Sequence, residues 1–477
     1  MSKMKTRREF LKNSLFAVGA ACACKPEIHF AATTRLPSLK DIHIVNVDAD
    51  FEREPLIRPF GFKGGALSEL WQVASYLESD SGQHGIGLST QSVLWTDAKI
   101  FSSHSESGGN SLMYTLTEKA IQLLRGRSFR TPIDLLDAIY PEVLAYGQTI
   151  TSNPDLRKTF VLNALVGIDN AAWLLYAREN GFTTFDEMIP AIYKDTFSSR
   201  HDKIASIPLI PYNIPLQEVE ATADQGHFFM KIKIGQAGSQ AEMLEKDKMR
   251  IREIHQTIGH KRNPYTKEGR VVYYLDANGR YEQKDTFLKL LDYTKKIGAY
   301  DRIAIIEEPF PEEMECDVTD IPVRLVADET AHTDQDALKR IQMGYRAIAL
   351  KPIAKTLSMT MKIAKLAQEH QVPCFCADLT VNPILVEWNK NVAARLQSFP
   401  GLGNLSLLES NGSLNYLQWD KMMDYHPQKS KKWVNPINGL YHVDDDFYKT
   451  SGGIFDSIPH YETLFAGNVL SGTRLTK

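Results

Sequence analysis

Val271-Val272-Tyr273-Tyr274-Leu275-Asp276-Ala277-Asn278 is an apolar run that ends on an acid, and the same grammar recurs on both sides of it. His227-Phe228-Phe229-Met230 leads into Lys231-Ile232-Lys233, and Ile303-Ala304-Ile305-Ile306 into Glu307-Glu308-Pro309. The run from Val323 to Ala327 leads into Asp328-Glu329, and Ala347-Ile348-Ala349-Leu350 into Lys351-Pro352. Short continuous apolar runs read as strands buried on both faces of a parallel sheet. Helix-like stretches separate them: Ala241–Ile258, Gln283–Ile297, Asp334–Met343 and Met359–His370. The steps from Asp276 to Glu307, to Asp328 and to Lys351 are 31, 21 and 23 residues, each close to one strand-helix unit. Successive units therefore deliver one polar group each to the same end of a parallel sheet, where (β/α) barrels keep their chemistry.

Taken singly, Asp-Ala-Asn-Gly is a turn and Glu-Glu-Pro a solvated strand end. In this order, each after a strand, they make a site. Carboxylates on three adjacent strand ends repel one another unless a cation sits between them. Hard oxygen ligands that leave room for water suit Mg²⁺ best, with Mn²⁺ the alternative.

These motifs resemble the enolase superfamily, and within it the muconate lactonizing enzyme subgroup, over residues 41 to 460. The resemblance implies an α/β fold: a modified TIM barrel under an N-terminal α+β capping domain. It implies Mg²⁺ held by Asp276, Glu307 and Asp328, and bases Lys233 and Lys351 on opposite faces of the substrate. Lys231 would neutralise the substrate carboxylate. Asn278, Glu308, Glu329, Asp378 and Glu409 would support the site or touch the substrate. The mandelate racemase variant needs a His on the seventh strand, and Val372-Pro373-Cys374-Phe375-Cys376-Ala377-Asp378 offers none.

The chemistry such a constellation implies is removal of a proton α to a carboxylate. A divalent cation would stabilise the charge that develops, and a lysine acting as base must be neutral, its pKa brought from about 10.4 toward 7 or 8. The leading expectation is a racemase or epimerase of an amino-acid or dipeptide derivative, with a small-molecule carboxylate as substrate. An acid-sugar dehydratase or a cycloisomerase could use the same lysines. An exported, non-catalytic binding protein is the remote alternative.

Composition agrees with an enzyme of this size. The chain has 477 residues, 43% hydrophobic and 24% charged, enough for one large barrel core and a smaller second domain. A net charge of −3 and the lack of a basic stripe give no electrostatic reason to expect nucleic acid. Thr6-Arg7-Arg8-Glu9-Phe10-Leu11-Lys12 matches the twin-arginine export consensus, followed by an apolar stretch too short to span a bilayer. The expectation is a signal peptide over residues 1–32 and a periplasmic protein with no transmembrane segment after its removal. Lipid anchoring at Cys22 or Cys24 is the less favoured alternative. Cys316, Cys374 and Cys376 read as thiols, since two cysteines at i and i+2 of a strand cannot make an unstrained disulfide. A homo-oligomer is compatible with all of this.

Domain boundaries are expected at 41–200 for the capping domain, 205–425 for the barrel, and 426–477 for a tail returning to the cap. Thr159 to Asn180 reads as the helix joining cap to barrel, Ile207 to Tyr212 as the first barrel strand and Leu405 to Glu409 as the last. Three departures from the family bear on substrate choice. Lys355-Thr356-Leu357 replaces a diglycine after Lys351, residues 259–270 form a polar insertion, and Glu409-Ser410-Asn411 stands where dipeptide epimerases carry Asp-x-Asp. The capping segments Leu56–Lys63 and Gly82–Ser103 are expected to shape the pocket.

Overall fold

The computed structural model describes residues 39–62 and 65–469; the export signal expected over residues 1–32 lies outside them. The capping domain begins with a long antiparallel meander of β1 (Ile42–Phe62), β2 (Gly65–Ser79) and β3 (His84–Gln91). A two-residue strand, β4 (Ser128–Phe129), completes the order β3-β2-β1-β4. Pro55 cannot donate to the ladder, and the β1–β2 register slips between Pro55 and Phe60. The strand is thereby bent before its tip.

Helices Glu106–Leu124 and Pro132–Ile150 start on Ser105 and Thr131, whose hydroxyls accept from Gly108 and Asp134 N–H groups. The third helix, Lys158–Asn180, is apolar nearly all round and ends on Gly181 at φ 70°. By length and composition it could cross a membrane, yet its apolar window lies wholly inside the protein. It presses so closely on β3 that a Cβ on Gly87 would lie 2.1 Å from the Gly167 carbonyl oxygen. On its other side Trp173 Nε1 donates to Ser358 Oγ at 3.1 Å, and Asp169 accepts from the Ser358 N–H at 3.0 Å. This one helix is therefore the shared core of cap and barrel.

The second sheet has ten strands in the order β14-β5-β13-β12-β11-β10-β9-β8-β7-β6. β5 (Lys203–Ile207) and β6 (Leu209–Ile210) lie at opposite sides of that order, but only Pro208 separates them in sequence. The sheet must therefore curl until its ends meet, and the Pro208 carbonyl accepts from Lys231 N–H at 3.1 Å across the junction. The barrel staves after this split strand are β7 (Phe229–Lys233), β8 (Val272–Asp276), β9 (Ile303–Glu307), β10 (Leu325–Ala327), β11 (Ala347–Leu350), β12 (Cys374–Cys376) and β13 (Ser406–Glu409), all parallel.

Two expectations need correction. The first barrel strand starts four residues earlier than Ile207 and breaks at Pro208, because proline has no N–H to give the ladder. The insertion at 259–270 precedes the N-terminal end of β8, where Tyr265 stacks on Phe228 at 5.0 Å. That is the end of the barrel opposite the polar motifs, so the insertion has no direct hand in substrate choice.

The tail adds β14 (Leu440–His442) antiparallel to β5 before its last helix, Pro459–Val469, reaches the cap. There His460 Nε2 meets Glu52 at 2.9 Å, and the rings of Phe465 and Tyr76 lie 5.5 Å apart.

Candidate active site

Side chains alternate along a strand, so Phe229, Lys231 and Lys233 of β7 share the barrel's inner face in three layers. Phe229 belongs to the bottom layer, where its ring meets Tyr274 and Phe399 at 6.2 Å, and Phe375 closes the set against both. These four aromatics fill the floor. Lys231 lies above it, its ammonium 4.7 Å from the Tyr274 ring centre. Lys233 is level with Asp276, and Asp276 with Glu307, in the ladder register of β7, β8 and β9. The top layer thus collects the charged ends of neighbouring strands at the C-terminal mouth.

Distances at this mouth are short. Lys233 Nζ lies 2.6 Å from both Asp276 Oδ2 and Asn278 Oδ1. Lys231 Nζ reaches Asp276 at 3.1 Å, Glu307 at 3.3 Å and Glu409 at 3.2 Å. Across the mouth Lys351 Nζ is 2.5 Å from Asp328 Oδ2 and 4.3 Å from the Trp95 ring centre. Each of these lysines and acids is buried.

The charge balance sets the protonation tendencies. Burial pushes Glu307 up to about 8, with Asp328 and Glu329 adding to the rise and Lys231 and Lys351 opposing it. Burial alone would lower Lys231 and Lys351, but the surrounding carboxylates outweigh it and hold both above the ordinary lysine value. The lowering expected of a base presupposes a cation among the acids; with the carboxylate oxygens turned onto their ammoniums, Lys231 and Lys351 stay charged.

Oxygens of Glu307, Asp328 and Glu329 lie within 4.8 Å of one another, close enough to hold one metal ion. Asp276, the third expected ligand, borders the same cavity but gives its carboxylate to Lys231 and Lys233. The donor chemistry suits a hard divalent cation. Asp328 Oδ1 is buried without a hydrogen bond, and Glu307, Asp328 and Glu329 present only carboxylate oxygens.

Other expected residues prove to be braces. Glu308 Oε1 accepts from Asp328 N–H at 2.6 Å and from the Thr330 N–H and hydroxyl at 3.0 and 2.8 Å, fixing the loop that carries Asp328 and Glu329. Burial and the charge of Glu329 raise Glu308 to about 7. Asn278 Nδ2 donates to Glu329 at 2.9 Å. Asp378 Oδ2 accepts from Asn411 N–H at 2.6 Å and is pushed up to about 6 by burial and Glu409. It caps that loop and also borders the cavity.

Lys355 is the residue whose part the sequence did not reveal. It is 1% exposed, and its ammonium donates to the backbone carbonyls of Asp328 at 2.5 Å and Ala331 at 3.1 Å. The loop of Asp328 is thereby tied to the short helix that follows Lys351. The next residue, Thr356, has φ 72°, a backbone state that costs a β-branched residue energy. Asn278, Glu308 and Thr380, at φ 44°, 40° and 57°, also follow barrel strands at this mouth. No spacing in the sequence signals such tertiary ties.

The cavity between these groups is small, about 50 Å³. Its roof comes from the cap: Phe60, Phe62, Leu67, Leu70 and Trp95 face Lys231, Lys233, Lys351 and the acids. The two capping segments expected to shape the pocket supply Phe60, Phe62 and Trp95; Leu67 and Leu70 lie outside them.

A (β/α) barrel roofed by an α+β domain, with lysines and carboxylates gathered where the two meet, is the architecture of an enzyme. Residues 216–445 match the enolase C-terminal domain-like family. The chain's fold is similar to that of a mandelate racemase/muconate lactonizing protein from Herpetosiphon aurantiacus, with TM-score 0.58, 16% identity, and 86% of this chain and 97% of that one covered. A dipeptide epimerase from Enterococcus faecalis, solved with Mg and the dipeptide L-Leu-L-Tyr, gives TM-score 0.56 at 16% identity over 79% and 92% of the two chains. An N-succinyl Arg/Lys racemase from Bacillus cereus gives 0.55 at 16% identity over 79% and 89%. No curated protein sequence matches the chain.

Proposed function

We propose that this protein is a Mg²⁺-dependent racemase or epimerase that moves the α-proton of an amino-acid or dipeptide derivative between two lysines. The observation that carries the reading is the placement of Lys233 and Lys351 on strands from different sides of one cavity, each within 2.6 Å of a different carboxylate. The cation would be held by Asp276, Glu307 and Asp328, next to Glu329, and would act as a Lewis acid on the substrate carboxylate as negative charge develops.

The chain's own groups account for the remaining steps. Once the oxygens of Asp276 and Asp328 are engaged elsewhere, Lys233 loses its carboxylate partner and Lys351 loses the Asp328 charge that raises its pKa, so that burial then favours the neutral base at Lys351. One lysine takes the proton from one face of the α-carbon while the other, as ammonium, returns one to the opposite face. Lys231, held between Glu307 and Glu409, keeps its charge and neutralises the substrate carboxylate. The capping roof excludes water.

Elimination from a sugar acid would use the same lysines. The wall of Phe60, Phe62, Leu67, Leu70, Trp95 and Leu379 is a poor partner for a row of hydroxyls and a good one for an aliphatic or aromatic side chain, which supports the amino-acid reading. Incubation with Mg²⁺ in D₂O and single enantiomers of dipeptides, N-acyl amino acids and sugar acids tests it. Inversion with deuterium uptake at the α-carbon is expected; loss of water from a sugar acid instead would replace the reading by dehydration.

The same proposal includes export by the twin-arginine route to the periplasm. Replacing Arg7 and Arg8 together by Lys should leave precursor in the cytoplasm; equal distribution of variant and wild type would refute export by this route.

A further inference from the structure

The acids of the mouth are approached from three sides that differ in charge. Above the 50 Å³ cavity, Phe60, Phe62, Leu67, Leu70 and Trp95 of the cap close the way. A chamber of about 570 Å³ beside it, with Phe62 and Asn411 in the common wall, carries Arg58 and Arg280 against the single acid Glu218. A vestibule of about 210 Å³, formed largely by the loops that follow β8, β9 and β10, shares Asn278 with the cavity. It carries Glu308, Glu312, Glu313 and Glu329 against Arg157 and Arg280. Two arginines facing one acid repel a cation, whereas four acids facing two arginines draw one in.

Residues common to both spaces connect the vestibule with the acids. Glu329 lines it and has an oxygen within 4.8 Å of oxygens of Glu307 and Asp328. Asn278 stands between the two spaces, where it donates to Glu329 at 2.9 Å and accepts from Lys233 at 2.6 Å. The negative charge of the vestibule is not spent within it. Arg157 is matched by Glu312 at 2.5 Å, while Glu313 is exposed and forms no ion pair among the described residues. Glu308 is 2% exposed, and its Oε2 is buried without a hydrogen bond although Oε1 accepts from Asp328 N–H and from Thr330. A buried carboxylate oxygen without a donor, on the wall of an acid-lined cavity, is a ready ligand for a hard cation on its way inward.

We infer that this vestibule is the port through which a divalent cation reaches Glu307 and Asp328, passing Glu308, Glu329 and Asn278, so that loading does not require the cap to open. The inference rests on the proposed function, which puts a cation at these acids.

Mn²⁺ serves as the probe, because Mg²⁺ dehydrates reluctantly and would hide the passage behind its loss of water. Stopped-flow mixing of the full protein with Mn²⁺ against a competing metal-indicator dye gives the association rate, and calorimetry gives the affinity. Glu313→Lys should slow association at least about tenfold at low ionic strength and Glu313→Gln about threefold. Affinity should change by less than about threefold in both, since this charge stands on the path and not at the site. Glu218→Lys, the matching change in the arginine-bearing chamber, should leave the rate within about twofold of wild type. The losses should vanish near about 1 M salt, where charges are screened within about 3 Å. Unchanged rates in the Glu313 variants, an equal or larger loss in Glu218→Lys, or a loss that high salt leaves intact would overturn the inference. A wild type that binds no Mn²⁺ would instead remove the cation site of the proposed function, and the port with it.

Discussion

Two buried clusters of lysine and carboxylate lie in this barrel, and only one is built as a site. In the first, Lys390 sits 2.6 Å from Glu387, donates to the Trp433 carbonyl at 2.7 Å, and has His426 nearby at 3.4 Å from the same carboxylate. It has one acid for one lysine. Burial pulls the Lys390 pKa below its ordinary value, because a single carboxylate does not offset full desolvation. In the second, Lys231 and Lys351 face Asp276, Glu307, Asp328 and Glu409, and these two lysines are held above their ordinary value. Burial is common to both clusters. What separates them is the surplus of carboxylate and the cavity on which the second opens. The first staples helix Pro383–Ala393 to the tail; the second is arranged to exchange its partners.

The sharpest way to break this comparison is to remove the surplus. Asp276→Asn, Glu307→Gln and Asp328→Asn should each cost more than about 10³-fold in turnover and weaken Mg²⁺ binding in calorimetry, because each removes a charged oxygen donor. A variant that keeps both would remove its residue from the cation site. Lys390→Met should instead destabilise the fold by about 3–5 kcal/mol in chemical denaturation, since it strands Glu387 as a buried charge. Its turnover per folded molecule should stay near wild type; a large loss of turnover would mean that the two clusters are coupled.

The smallest expected effect concerns a buried acid outside both clusters. Asp169 is pushed up to about 7 by burial, against the pull of Ser358 and Trp173. Between the unfolded value near 3.8 and the folded value near 7, the folded protein holds a proton that the unfolded chain has lost. Stability should therefore be greatest at the acid side of that window and fall as pH rises through it, with no further contribution above it. Asp169→Asn should flatten this part of the stability profile. An unchanged slope would show that Asp169 ionises normally.

The barrel was legible because its strands are buried on both faces and each ends on a polar residue, so run, helix and spacing repeat. Lys231-Ile232-Lys233 places both lysines on one face by strand geometry alone, and the structure sets them one layer apart. The cap was less legible. β1 runs through Pro55 and alternates weakly, and its contribution to the site, Phe60 and Phe62, depends on where a bent hairpin tip lands. Lys355 was visible only as an oddity, because its partners are backbone carbonyls 24 and 27 residues away, which leave no trace in side-chain pattern. Glu308 was expected to support the site or touch the substrate, and of the two it supports: it leaves the end of β9 at φ 40° and holds the Asp328–Thr330 backbone.

The central claim is that two lysines work on opposite faces of one carbon. It is tested most directly by following α-proton exchange in D₂O by NMR for each enantiomer of a turned-over substrate with wild type, Lys233→Ala and Lys351→Ala. Both variants should lose racemisation by at least about 10²–10⁴-fold, while each still exchanges the proton of one enantiomer, and not the same one, through the lysine it retains. Exchange of both enantiomers at the wild-type rate in either variant would contradict the two-base account, and Asp378 would then be the next residue to test.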